Sequence, residues 1–174
     1  MITIEQLKRF VGRTNPYAIQ FKNGAYIPVH KQITEELLQD HLDGKKTMGT
    51  YVIKENGMVN YGAIDIDCDP KFVEKIKPFA EMIYSFFKDF ERVLEKSGKR
   101  GYHVWVFFKQ EEKPKFVLEL IKSRLLSHCV TNVEIFPKQT KTSHLKKGLG
   151  NLIKLPFGLH QITGKRSELL KWDK

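Results

Sequence analysis

The sequence predicts an α+β fold built on a split βαββαβ sheet of the ferredoxin-like kind. Strand-type runs near residues 59–67, 90–95, 102–108 and 132–136 alternate with helix-type runs near 70–88 and 114–127, in the order strand, helix, strand, strand, helix, strand. The second and third strands are joined by a short turn, Ser97-Gly98-Lys99-Arg100-Gly101. A chain of 174 residues can form one domain, or two tightly fused lobes, around a substantial core.

Before the split unit, Ile4, Leu7, Phe10 and Val11 have helical spacing over residues 3–11, and residues 25–29 read as an extended segment. Residues 34–42 read as a second short helix stopped by Gly44. Residues 50–54 and 59–67 flank Glu55-Asn56-Gly57-Met58, and an Asn-Gly pair between β-rich runs is the strongest hairpin signal in the chain. The helix at 70–88 carries Phe72, Ile76, Phe79, Ala80, Ile83, Phe86 and Phe87 at helical spacing, and the helix at 114–127 opens on Pro114, where proline is tolerated. In this topology the strands lie in the spatial order four, one, three, two, so the first strand sits between the fourth and the third.

With 41% hydrophobic and 29% charged residues, the composition is that of a folded protein and not of a disordered one. No apolar run approaches the roughly 20 residues of a membrane helix, and the first residues lack a secretion signal. Cys68 and Cys129 are too few for a disulfide framework or a four-cysteine zinc site. A cytoplasmic protein without membrane attachment is expected. The net charge of +10 suits a polyanionic partner such as nucleic acid, and equally a solvated lysine-rich surface.

Ile64-Asp65-Ile66-Asp67 closes the first strand of the split unit. Side chains alternate across a strand, so the two isoleucines face one side and the two aspartates the other. With helices covering the isoleucine face, the carboxylates share an open face, where they repel each other unless a cation or proton intervenes. Glu134 lies on the strand expected beside the first, with parity opposite to Val133 and Ile135, which brings a third carboxylate to the same end. Three carboxylates suit Mg²⁺ or Mn²⁺ and not zinc. On the other flank His103 is expected near the aspartates, preceded by the basic turn at 97–101, whose backbone N–H groups together with Lys99 or Arg100 suit phosphate oxygens. Lys138, Lys141, Lys146, Lys147 and Lys154 are spread through the glycine-broken segment that follows, either as a solvated loop and an edge strand or as a phosphate- or template-facing wall.

Asp65-x-Asp67, the string from Ser97 through His103 to Trp105, Glu134-Ile135-Phe136-Pro137-Lys138-Gln139 and Gly150-Asn151-Leu152-Ile153-Lys154-Leu155-Pro156, in that order, resemble the archaeo-eukaryotic primase superfamily. The resemblance runs from about Tyr17 to His160 and is closest to primase-polymerase domains associated with CRISPR loci and related conflict systems. It implies a single catalytic domain over residues 1–174. An N-terminal αβ lobe, about residues 1–56, packs on a modified RNA-recognition-like lobe, about 57–174, with the active site between them. It further implies template-directed primer synthesis or extension by two metal ions, Mg²⁺ or Mn²⁺, on Asp65, Asp67 and Glu134. Nucleotide phosphates would be held by Ser97, Lys99, Arg100, Gly101, His103, Lys138, Asn151, Lys154 and His160. The implied partners are nucleoside triphosphates, a single-stranded DNA template and primer, and a helicase or CRISPR adaptation proteins. Many superfamily members carry Ser where this chain has Gly101, so a hydroxyl contact is missing there. A metal-dependent nuclease could use the same acids. A non-catalytic single-stranded nucleic-acid-binding domain is the other alternative, although its stacking aromatics are not where that role needs them.

Overall fold

The computed structural model describes residues 2–140 and 148–174. Lys141, Lys146 and Lys147 lie outside the described residues. Two antiparallel sheets form the fold. The first takes β1 (Tyr17–Gln20), β2 (Tyr26–Val29), β3 (Thr47–Tyr51) and β8 (Leu152–Lys154) in the order β2-β1-β3-β8. The second takes β4 (Val59–Asp67), β5 (Glu91–Lys96), β6 (Gly101–Glu112), β7 (Glu134–Phe136) and β9 (Glu168–Asp173) in the order β7-β4-β6-β5-β9. The expected four, one, three, two arrangement is present as β7-β4-β6-β5, extended at one edge by β9. The sheet begun by residues 17–51 is completed by β8, from the far end of the sequence.

The helices follow the apolar periodicity with shifted ends. Helix α1 (Ile4–Lys8) is closed by a capping box between Thr3 and Gln6, and α2 (Glu35–Leu42) is capped by the Thr34 hydroxyl. The single helix expected at 70–88 divides into a 3-10 segment, Pro70–Ile76, and α3 (Lys77–Ser85). Pro78 has no N–H to continue the first ladder and is tolerated only because it opens the second. Helix α4 (Pro114–Leu126) starts at its proline as expected.

The Asn-Gly turn forms, but not as a hairpin within one sheet. The Lys54 N–H bonds the Met58 carbonyl at 2.9 Å and Gly57 adopts φ +81°. The strands on either side nevertheless enter different sheets, because β3 already has β1 and β8 as its two neighbours. The Ile53 and Lys54 carbonyls instead accept from the Arg13 guanidinium, both at 3.2 Å. This turn is one of the covalent links between the sheets.

One face of the second sheet is covered by α3 and α4. Gly62 lies directly under α4, where a Cβ would come within 2.4 Å of Ile121 and 2.9 Å of Val117. The opposite face was expected to be open, and along most of its length it is not. Tyr61, Ala63, Trp105 and Phe107 are buried there beneath Phe10. The Phe10 ring makes edge-to-face contacts with Trp105 at 5.0 Å, Phe107 at 5.1 Å and Phe157 at 5.5 Å. Apolar burial therefore covers this face from Phe107 to Ala63 and leaves the end of β4 that carries Asp65 and Asp67 less covered.

Candidate active site

Strand register assembles the site. Asp65 pairs with His103 on β6 and with Glu134 on β7, Asp67 pairs with Gly101, and His103 pairs on its far side with Glu95 of β5. Asp65, Asp67, Ser97, Lys99, Arg100, His103, Lys154 and His160 line one cleft of about 290 Å³ between the two sheets. Glu134 and Lys138 pair with each other at 2.7 Å beside it, and Glu134 stands exposed on an edge strand of only three residues. Asn151 lies outside the cleft lining; its backbone carbonyl accepts from Val52 at the sheet edge.

The turn at 97–101 departs from a free phosphate cradle. The Ser97 hydroxyl oxygen accepts the backbone N–H groups of Arg100 at 3.3 Å and Gly101 at 3.1 Å, so those donors are satisfied within the turn. Gly101 is set by packing: a Cβ there would lie 1.9 Å from the Ile66 carbonyl oxygen. The close pairing of β4 and β6 at this point leaves no room for a serine, which accounts for the missing hydroxyl.

Charges in the cleft are paired in a layered way. Arg100 holds Asp67 through its Nε at 2.6 Å. His103 Nε2 is 3.5 Å from Asp65 Oδ1, and His103 Nδ1 donates to Glu95 Oε2 at 2.9 Å. Trp105 Nε1 donates to the same Glu95 oxygen at 3.0 Å. Lys154, reaching in from the first sheet, sits 3.7 Å from Glu95 Oε1. Burial works against the charged form of His103, but Glu95 and Asp65 on either side push its pKa up to about 10. Burial likewise opposes ionisation of Glu95, yet the charges of His103 and Lys154 hold it down at about 2. Asp65 is held low despite burial, by His103 first and then by Arg100 and Lys138. Asp67 is raised by burial and by the Asp65 charge, against the pull of Arg100. The lysine and histidine on the opposite wall are both lowered, Lys154 by burial and His160 by burial and its lysine neighbours.

The donor chemistry suits a hard divalent cation at the aspartates. Asp65 and Asp67 are acids on one face of one strand, and Asp65 Oδ1 is buried without a hydrogen-bond partner. Among the described residues no three His, Cys, Asp or Glu side chains already converge as a ready-made metal cluster. Asp67 and Glu134 are instead turned onto Arg100 and Lys138, the cations a metal ion would replace. Cys68 and Cys129 are both free thiols.

Sequence reasoning did not find Glu95, which is fully buried at the centre of the charge network. It also missed Gln20, Tyr26 and Ile162, which complete the cleft from the first sheet and the C-terminal segment. Glu95 had a signal: it shares the parity of Val93 and, in the four-one-three-two order, must neighbour His103. Tyr26 and Ile162 had none, because their place depends on how two sheets meet.

A split βαββαβ sheet, with a carboxylate pair at the end of its first strand facing a small second sheet across a basic cleft, is the architecture of archaeo-eukaryotic primases. Residues 4–173 match the model of the TOTE conflict system, Archaeo-Eukaryotic Primase domain, and the chain belongs to that family. The match names conflict systems and does not extend to the CRISPR-associated group. Comparison with curated proteins finds no match. Among the described residues no helix is long and apolar enough to cross a membrane.

Proposed function

We propose that this domain is a primase-polymerase: a template-directed nucleotidyltransferase that adds nucleotides from nucleoside triphosphates to a primer. The observation that carries the reading is the position of Asp65 and Asp67 at the cleft end of β4, with Lys154, Lys99 and His160 lining the same cleft. A nucleotidyl transfer site needs acids to hold metal and cations to hold phosphate, and residues of both kinds line this cleft. When bound at the aspartates, Mg²⁺ or Mn²⁺ ions supply Lewis-acid activation of a primer 3′-hydroxyl and neutralise the departing pyrophosphate.

The chain's own residues do the rest. Lys154, Lys99 and His103 orient the triphosphate by charge and hydrogen bonding. Arg100 and Lys138 neutralise Asp67 and Glu134 in the chain without metal, and would give way where a divalent cation took their place. Glu134, adjacent to Asp65 in register, is the third acid of the set. Phe10 packs edge-to-face on Trp105 of the second sheet and on Phe157, which follows β8, and so ties the segment after β8 to that sheet. Single-stranded template and primer approach over the lysine-rich surface, in keeping with the net charge of +10.

Mixing the protein with labelled primer-template, nucleotides and Mn²⁺ tests the reading. Lengthened primer is the expected result. Shortened primer would assign the same acids to a nuclease, and retention without any change of length would make the domain a binding module.

A further inference from the structure

Glu95 is the least expected residue in the molecule. It occupies a strand position where its neighbour of the same parity, Val93, is an ordinary buried apolar side chain. A carboxylate with no exposure to water carries a large desolvation penalty unless its partners offset it. Its partners come from separate parts of the fold: His103 and Trp105 from the adjacent strand and Lys154 from the other sheet.

We infer that Glu95 is a positioning residue for the nucleotide site, holding His103 and Lys154 as one preassembled pair that receives the phosphate oxygens. The inference rests on the nucleotidyltransferase reading. Two geometric facts carry it. By accepting from His103 Nδ1, Glu95 fixes which ring nitrogen is bonded on the buried side and turns Nε2 toward the cleft and Asp65. By standing 3.7 Å from Lys154 without a hydrogen bond, Glu95 attracts the ammonium group while leaving its donors free. The only hydrogen bond from that ammonium among the described residues goes to the Leu155 carbonyl at 3.3 Å, so two of its three N–H donors remain for an anionic ligand. A triphosphate then meets donors already in place and does not have to order a long, mobile side chain.

The test uses ATP with Mn²⁺ as the probe, titrated calorimetrically into the parent, Glu95→Gln, Lys154→Met and the double variant, with thermal unfolding of each. Glu95→Gln keeps an oxygen for His103 and Trp105 but removes the charge facing Lys154. It should weaken ATP binding about tenfold, the loss typical of one charge-assisted contact, while single-stranded DNA affinity holds. Lys154→Met should weaken ATP similarly. The double variant should bind no worse than either single change and unfold at a higher temperature than Glu95→Gln, since no unpaired charge is then buried. If Glu95→Gln fails to fold, the state of the His103 ring in the parent carries the test. Parent-like ATP affinity in Glu95→Gln, or strictly additive losses, would overturn the inference. Nitrogen-15 NMR of the parent supplies a readout free of ligand: His103 Nδ1 should carry a proton, and a bare Nδ1 would refute the Glu95 link. A parent that binds no ATP would refute the functional reading itself, whereas a parent that binds and a Glu95→Gln that binds equally would refute only the positioning role.

Discussion

Replacing Asp65 and Asp67 together with Asn separates their catalytic from their structural contribution. On the structural side the terms nearly cancel. Ionised Asp67 is disfavoured by burial and by Asp65, so neutralising it relieves the fold. Ionised Asp65 is favoured by His103 once burial is offset, so neutralising it costs the fold. The Asp67–Arg100 pair is half exposed, and such pairs contribute about 0–1 kcal/mol. Net stability without metal should therefore change by no more than about 1 kcal/mol. Transfer activity should behave differently, because losing the metal ligands removes stabilisation of both the attacking oxygen and the pyrophosphate. Groups of that kind are commonly worth about 3 kcal/mol or more, so primer extension should fall at least about a hundredfold. Template affinity should hold or improve, as two negative charges leave a phosphate-binding cleft. Primer extension, thermal unfolding with and without Mn²⁺, and template titration on one preparation measure all three. Extension near the parent rate would refute the catalytic assignment, and an unfolded double variant would make the acids structural.

Other regions give independent tests. His41 is buried, accepts the Met48 N–H at 3.0 Å and donates to the Pro156 carbonyl at 2.9 Å, and burial lowers its pKa from 6.5 to about 4. The unfolded chain thus binds the extra proton first: stability present above pH 6.5 should be lost as pH falls toward 4, by up to about 3 kcal/mol at about 1.36 kcal/mol per pH unit. His41→Gln should flatten that window in urea titrations while lowering stability at neutral pH, and an unchanged slope would contradict this account. Gly101→Ala should destabilise the fold by about 2 kcal/mol or more, because its Cβ would overlap the Ile66 carbonyl; denaturant midpoints equal to the parent's would show that β4 and β6 do not pair this closely. Binding to single-stranded DNA should weaken steeply as salt is raised, and a flat salt response would remove phosphate contacts as its basis.

Much of this was legible in the chain because the second sheet is built from strong local patterns. The run Ile64-Asp65-Ile66-Asp67 divides its side chains between a helix-covered face and the cleft, and the pairing of Asp65 with His103 and Glu134 follows from the topology alone. What was not legible depended on long-range choices. Strand β8 has three residues and finds its place only because β3 has a free edge. Strand β9, with Lys171 and Asp173 among its residues, carries too little apolar alternation to announce itself, yet it caps β5. The Asn-Gly turn gave a true local conformation and a false neighbour, since turn chemistry fixes a reversal of the chain and not which sheet receives it. Glu95 went unremarked although its strand was expected beside the one that carries His103.

The most direct measurement is a crystal structure of the domain with Mn²⁺, primer-template and a non-hydrolysable nucleoside triphosphate, with manganese located by its anomalous scattering. Manganese should lie between Asp65 and Asp67, with Arg100 displaced from Asp67 and the triphosphate oxygens turned toward Lys154 and His103. Manganese bound away from both aspartates, or a triphosphate lying outside the cleft between the sheets, would contradict the account.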